Sequence, residues 1–137
     1  MRKLLGLVFV IALFGTAFGQ EVKQPKFSVG FDMPTYAWVT ANENGDVLSV
    51  LGVNAGLGIS YRSYFQPLAP QSGSAYWEAG TILLLDPYIG GGYDYRMSDS
   101  IYAGLGLDIF PVHAFMWGGY GLYLTFIPNL HVGFYLF

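Results

Sequence analysis

The strongest constraint on this chain is an alternation with a period of two. From Phe27 to Ile109 the odd positions are apolar: Phe27, Val29, Phe31 and Met33, then Val47, Leu51, Val53, Leu57, Ile59 and Tyr61, then Trp77, Leu83, Leu85, Ile89, Tyr93 and Tyr95, and last Ile101, Ala103, Leu105, Leu107 and Ile109. Eight charges, Lys26, Asp32, Arg62, Glu78, Asp86, Asp94, Arg96 and Asp108, share the even positions, and no strand charge sits among the odd ones. Successive side chains of a strand point to opposite faces, so this pattern makes a sheet with one greasy face and one polar face. A helix, whose apolar positions recur at three and four, does not fit it.

Turn chemistry keeps the same phase. "NENGD", Asn42 to Asp46, carries the Asn-Gly hairpin signal; "SDS", Ser98 to Ser100, and "IPN", Ile127 to Asn129, each read as a three-residue loop. "FPVH", Phe110 to His113, reads as a four-residue connection that flips the phase. Beyond it the apolar set is even: Ala114, Met116, Tyr120, Leu122, Leu124, Phe126, Leu130, Val132, Phe134 and Leu136. "QPLAPQSGS", Gln66 to Ser74, reads as the longest connection, a mobile loop rather than a domain boundary. Two segments, Val47 to Phe65 and Ala75 to Met97, hold one phase for longer than an ordinary strand. Each is a single strand or is broken by an odd-numbered loop, near Gly52 in the first and near Asp86-Pro87 in the second. Six strands result if neither breaks and eight if both do. Eight strands of about 10 residues suit a minimal closed barrel. The expected fold is therefore all-β, an antiparallel up-and-down barrel of about eight strands, with six as the smaller count.

The first residues, "MRKLLGLVFVIALFGTAFGQ", place Arg2 and Lys3 before an apolar run from Leu4 to Phe14 and small residues at Ala17 and Gly19. That is the plan of a secretory signal peptide cut between Gly19 and Gln20, leaving residues 20–137 as a single domain. The apolar run is shorter than the roughly 20 residues a spanning helix needs. Without Arg2 and Lys3 the mature chain has four bases (Lys23, Lys26, Arg62, Arg96) against nine acids, so 4 − 9 gives a net charge of −5. No basic patch remains to bind nucleic acid. The absence of cysteine rules out a disulfide framework and a thiolate metal site. With 53% of residues apolar and only 11% charged, a chain without helical periodicity is either a deeply buried β fold or a membrane barrel.

Glycine orients the sheet. Gly30, Gly52, Gly56, Gly58, Gly80, Gly90, Gly92, Gly104 and Gly106 share the charged face, and Gly91 lies opposite. On a water-facing sheet surface glycine weakens a strand for no return. On the concave wall of a narrow barrel it relieves crowding and lets strands coil. The glycine-rich charged face is thus read as the lumen and the aliphatic face as the side toward lipid. Tyr36, Trp38, Tyr61, Tyr76, Trp77 and Tyr95, near segment ends, are candidates for interfacial girdles; the bland reading is that they are core aromatics of a β sandwich.

"YDYRMSDSIYAGLGLDI", "PYIGGGYDY" and the closing "PNLHVGFYLF" resemble the small outer-membrane β-barrel proteins of the OmpA, OmpX and OmpW type, best over Tyr88 to Phe137. The resemblance implies a transmembrane barrel in the outer membrane, with the lipid bilayer and an outer-membrane assembly machinery as partners. It also implies that the terminal aromatics Tyr135 and Phe137 act as an assembly signal. Gly133 and His131 depart from the apolar residues usual in that terminal pattern.

Little in the chain suggests chemistry. "GLGISYRS", "GLGLDIF" and "GGYGLY" have phosphate-loop-like glycines but no helix start after them. His113, at a turn, and His131, on the last strand, lack a third ligand at metal spacing and read as a surface and a lumen histidine. Ser98, Asp99 and Ser100 on one turn are the only group resembling a nucleophile with an acid. No enzyme, catalytic residue, cofactor or metal is expected. The one constellation expected to matter is a lumen charge network of Asp32, Arg62, Glu78, Asp94, Arg96 and Asp108, since charges buried in a narrow lumen must pair. An internal salt-bridge plug is the first reading and an ion gate in a narrow, porin-like channel the second. The function expected is that of a structural or adhesive outer-membrane barrel or narrow channel. The alternative is a secreted or periplasmic soluble β-barrel or sandwich that binds an apolar ligand.

Overall fold

The computed structural model describes residues 23–112 and 126–137. They form eight strands: β1 (Phe27–Phe31), β2 (Tyr36–Ala41), β3 (Val47–Asn54), β4 (Gly58–Leu68), β5 (Ser72–Ile82), β6 (Asp86–Arg96), β7 (Ile101–Ile109) and β8 (Phe126–Leu136). Each strand pairs antiparallel with the next, and β8 pairs back with β1, closing the barrel. The expected leader, His113 and the even-phase positions from Ala114 to Leu124 lie outside the described residues.

Both long in-phase segments break, and both at three-residue turns: Ala55–Leu57 between β3 and β4, and Leu83–Leu85 between β5 and β6. An odd turn returns the chain in the phase in which it left, which is why the sequence runs through these points without a visible seam. The first break falls after Gly52 and the second just before Asp86-Pro87. Asp32–Thr35, four residues between β1 and β2, does flip the phase, so Tyr36 and Trp38 point outward at 60% and 61% exposure. A register shift between Val47 and Ser49 restores the odd phase for Leu51 and Val53. That bulge corrects the placement of Val47, which points inward and is fully buried.

Two connections differ from expectation. Gln66–Ser74 is mostly strand, because Leu68 extends β4 to pair with Val47 and β5 already begins at Ser72. Only Ala69–Gln71 link the two strands, with Gln71 in the left-handed region at φ 57°. The tripeptide Ile127–Asn129 is not a turn but part of β8, where Pro128 lies opposite Leu107. β1 pairs with β8 no further than Val132, so among the described strands Pro128 is bordered by β7 alone, a position where a missing N–H is tolerated.

Starting at Leu136, one row of partners passes through Phe27, Trp38, Leu51, Tyr61, Ala79, Ile89 and Ile109 and returns to β8 at Phe126. The stagger of 136 − 126, ten residues, tilts the strands by about 40° and leaves an interior only wide enough for side chains. Inward glycines make room for rings lying across them. A Cβ on Gly92 would come within 2.6 Å of the Tyr76 hydroxyl, one on Gly80 within 2.7 Å of the Tyr88 ring, and one on Gly133 within 2.5 Å of Tyr102 Cζ. The outward side chains are bare by comparison: Leu105 is 59% and Ile89 54% exposed, while Arg62, Glu78, Asp94 and Asp108 are at most 1% exposed. No outward strand position among the described residues carries a charge.

The β1–β8 seam generates a direct test. A Cβ on Gly30 would stand 2.8 Å from both Gly133 Cα and Val132 O, which are backbone atoms that cannot swing away. Gly30→Val should therefore destabilise the barrel by at least the about 1–3 kcal/mol typical of overpacking. A lowered urea midpoint of the refolded barrel, against little change for Phe31→Leu on the exposed side of the same strand, is the expected result.

Candidate functional site: the charged lumen

At mid-height the lumen is organised by Arg62 of β4. Its even-phase position turns the side chain inward, and its neighbours in register are Val50 on β3 and Glu78 on β5. The guanidinium is engaged on all its edges. Nε and NH2 donate to Glu78 Oε2 at 2.8 and 2.6 Å; NH1 and NH2 donate to the two carboxylate oxygens of Asp32 at 2.7 and 2.8 Å; NH1 also reaches Asp94 Oδ2 at 3.1 Å, and NH2 reaches the Met33 carbonyl at 2.9 Å. One face of the group lies 4.0 Å from the centroid of the Tyr76 ring. This is the two-pronged carboxylate geometry that arginine forms and lysine does not.

Asp32 comes to this site from the β1–β2 turn, not from a strand. β1 is only five residues long, so its turn drops the carboxylate into the lumen, where it also accepts the Met33 N–H at 2.7 Å. Asp94 of β6 gathers three partners: Arg62, the Tyr64 hydroxyl at 2.6 Å, and His131 Nε2, 2.6 Å from its Oδ1. His131 Nδ1 faces Asn129 Oδ1 at 3.0 Å, and Asn129 Nδ2 donates to Asp108 Oδ2 at 2.6 Å. The glycine opposite is required here. A Cβ at Gly104 would lie 2.6 Å from His131 Nε2 and 2.7 Å from the Tyr93 carbonyl, so not even alanine fits.

Of the six residues expected to form the network, Asp32, Arg62, Glu78 and Asp94 meet directly. Asp108 joins through Asn129 and lies across Gly90 from Glu78 in register. Glu78 Oε1 and Asp108 Oδ1 take no hydrogen bond from the described residues. Arg96 stands apart and corrects the expectation of a single network. Near the end of β6 it donates to the carbonyls of Gly45 at 2.8 Å, Leu68 at 3.1 Å and Asp99 at 2.8 Å, tying together backbone next to three turns at the rim that holds the chain ends. Its guanidinium lies 5.0 Å from the Tyr135 ring, which stacks on Tyr102 at 4.7 Å.

Tyr135, expected as an assembly signal, is thus a buried lumen side chain, whereas Phe137 follows β8 at 43% exposure. Tyr76, counted among the girdle candidates, points inward and is 2% exposed, as its even position requires; Tyr36, Trp38, Tyr61, Trp77 and Tyr95 are on the outer wall. His131 is the lumen histidine expected. Ser98 Oγ accepts the N–H groups of Ser100 and Ile101, so the Ser98–Ser100 group builds its own turn. Sequence reasoning missed Tyr64, Tyr76, Asn129 and His131 as members of the network. For Tyr64 and Tyr76 the signal available was their shared even phase with Arg62 and Glu78 on the same strands; Asn129 was hidden by the loop reading of Ile127–Asn129.

Together these side chains are buried in the interior of the barrel, where Val47, Val50, Leu68, Tyr102 and Tyr135 belong to the buried hydrophobic cluster. Carboxylates outnumber guanidinium groups in the central cluster, where Asp32, Glu78 and Asp94 surround Arg62 and Asp108 is joined through Asn129. No protein-family model matches this chain, and no match was found among curated proteins or solved structures.

Removing one partner from such a cluster leaves buried charge uncompensated. Arg62→Met should cost about 3–5 kcal/mol of barrel stability. Combining it with Asp32→Asn should recover part of that loss, because the double variant buries one carboxylate fewer. A double-mutant cycle on denaturant unfolding in detergent measures the coupling, and additive losses would show that the pair does not interact.

Proposed function

We propose that the chain is a small outer-membrane β-barrel protein whose outer wall lies against lipid hydrocarbon and whose lumen is closed by the Arg62 cluster. Its role is then structural or adhesive rather than that of an open pore. The observation that carries this reading is the inverted polarity of the barrel: charges inside, and an uncharged wall of Leu51, Ile59, Ile89, Leu105, Val132 and their neighbours outside. Soluble monomers rarely expose contiguous apolar patches of more than a few hundred Å². Strands of 11 residues, as in β4, β5, β6 and β8, are about 36 Å long and, when tilted, match the apolar band of about 25 Å found on membrane barrels. Closure supports the same reading, since an open edge in hydrocarbon would strand backbone polar groups.

The family resemblance of the strand-and-turn sequence from Tyr88 onward agrees with this assignment and adds the secretory route: cleavage of residues 1–19, then insertion by an outer-membrane assembly machinery that reads Phe137. A soluble carrier of apolar ligands is the weaker reading, because the interior is filled by Arg62, Glu78, Asp94, His131 and tyrosines while the apolar side chains face out.

Fractionation tests the proposal. The protein should be recovered in the detergent-soluble outer membrane as a heat-modifiable band, with conductance in planar bilayers far below that of an open porin. Recovery in the soluble periplasm would overturn it. Leu105→Arg places a charge on the wall, at a cost of about 2–4 kcal/mol if that site is mid-bilayer, and should abolish insertion. Normal insertion of this variant would reverse the assignment of faces.

A further inference from the structure

The two rims of the barrel differ in chemistry. The rim that holds the chain ends is polar: Asn42, Glu43, Asn44 and Asp46 on one turn, Gln71 on the next, and Ser98, Asp99 and Ser100 on the third. Its tightest turn uses Gly45 at φ 79°, the residue that such a conformation favours. At the opposite rim, among the described residues, the turns Ala55–Leu57 and Leu83–Leu85 are rich in leucine. Leu57, Leu84 and Leu85 are 74%, 65% and 85% exposed. Leu57, Leu83 and Leu84 all hold left-handed backbone, with φ of 56°, 52° and 59°. Asparagine or glycine would adopt that conformation with less strain and would suit water better. The backbone strain is the same in any medium, but the exposed leucine side chains are disfavoured in water.

The backbone of this rim is turned in on itself. Leu83 N donates to Gly56 O at 2.8 Å, joining the two turns, and Leu85 N and Leu57 N donate to Ile82 O and Asn54 O at 3.1 Å each. Asn54 accepts the Gly58 N–H at 3.0 Å and donates to Thr81 O at 2.9 Å, while Ala55 N donates to Thr35 Oγ1 at 3.0 Å. In these two turns several backbone groups are satisfied internally and leucine side chains face out, which suits a hydrocarbon medium. Below this rim Val53, Ile59 and Ile89 continue the apolar surface, with the exposed aromatics Phe31, Tyr36 and Phe126 at the same end of the barrel and Phe27, Trp38, Tyr93 and Tyr95 nearer the polar rim.

We propose that the leucine rim is a lipid-contact surface: acyl chains cover Leu57 and Leu83–Leu85, and the barrel sits asymmetrically, with the rim of the chain ends in water. The inference rests on the spanning reading and specifies its depth and orientation. The chain has no cysteine, so single cysteines report without background. Leu84→Cys, Leu51→Cys on the mid-wall and Asn44→Cys on the polar rim are labelled with an environment-sensitive fluorophore in the full chain, reconstituted in phosphatidylcholine vesicles. Quenching by acyl-chain doxyl lipids and by aqueous iodide is then compared, with Leu57→Cys replacing Leu84→Cys if that variant does not fold.

The expected result is doxyl quenching at both positions 84 and 51, with iodide quenching several-fold weaker at 84 than at 44. Iodide quenching at 84 equal to that at 44, with position 51 still quenched by doxyl, overturns the rim proposal and leaves the spanning barrel standing. Loss of doxyl quenching at 51 overturns both. Protection of 84 from both quenchers means that protein, such as a second copy of the chain, covers the rim, and rejects lipid as its occupant.

Discussion

Closure of the hydrogen-bonded sheet is the constraint on which the other features depend. Once β8 pairs with β1, the ten-residue stagger between Leu136 and Phe126 sets the tilt and hence the width of the interior. That interior is too narrow for a large side chain at every inward position, so glycines alternate with tyrosines: Tyr76 lies over Gly92, Tyr88 over Gly80 and Tyr102 over Gly133. The glycine-rich face that looks wasteful in a flat sheet is a packing solution in a closed one. Each tyrosine ring supplies the volume that its glycine neighbours omit.

The same narrowness governs the charges. Arg62 has no water to turn to, and its guanidinium spends its donors on Asp32, Glu78, Asp94 and the Met33 carbonyl. The contacts join β4, β5, β6 and the β1–β2 turn, so the cluster braces the wall from inside. Arg96 does a related task at the rim with carbonyls instead of carboxylates. Two arginines on one face of the sheet thus serve different layers, one joining strands across the lumen and the other joining turns.

Much of this was legible in the alternation. The phase assigned Arg62, Glu78, Asp94, Arg96 and Asp108 to one face, and the structure places them all in the lumen. Odd-numbered turns preserve phase, so they hid the breaks at Ala55–Leu57 and Leu83–Leu85 while leaving the count of eight within reach. What the alternation does not encode is where a strand slips. The bulge beside Val47 moved that residue inward, and the short β1 put Asp32 in a turn yet aimed it at Arg62. Pro and Gly near Gln66–Ser74 and the tripeptide Ile127–Asn129 carry loop signals, but β-sheet edges and bulges accept the same residues. Height along the axis, which separates Arg96 from the carboxylate cluster, depends on stagger between strands and is not visible in any one segment.

The proposed orientation of the wall is the central claim, and proton–proton contacts in a lipid nanodisc test it most directly. With the protein deuterated except at selected methyls and the lipid protonated, Leu105, Ile89 and Ile59 should show nuclear Overhauser contacts to acyl-chain methylenes, while Val50, which points into the lumen, should show none. Contacts from Leu105 and Ile89 to water instead of acyl chains, or a folded barrel that stays monodisperse without lipid or detergent, would contradict it.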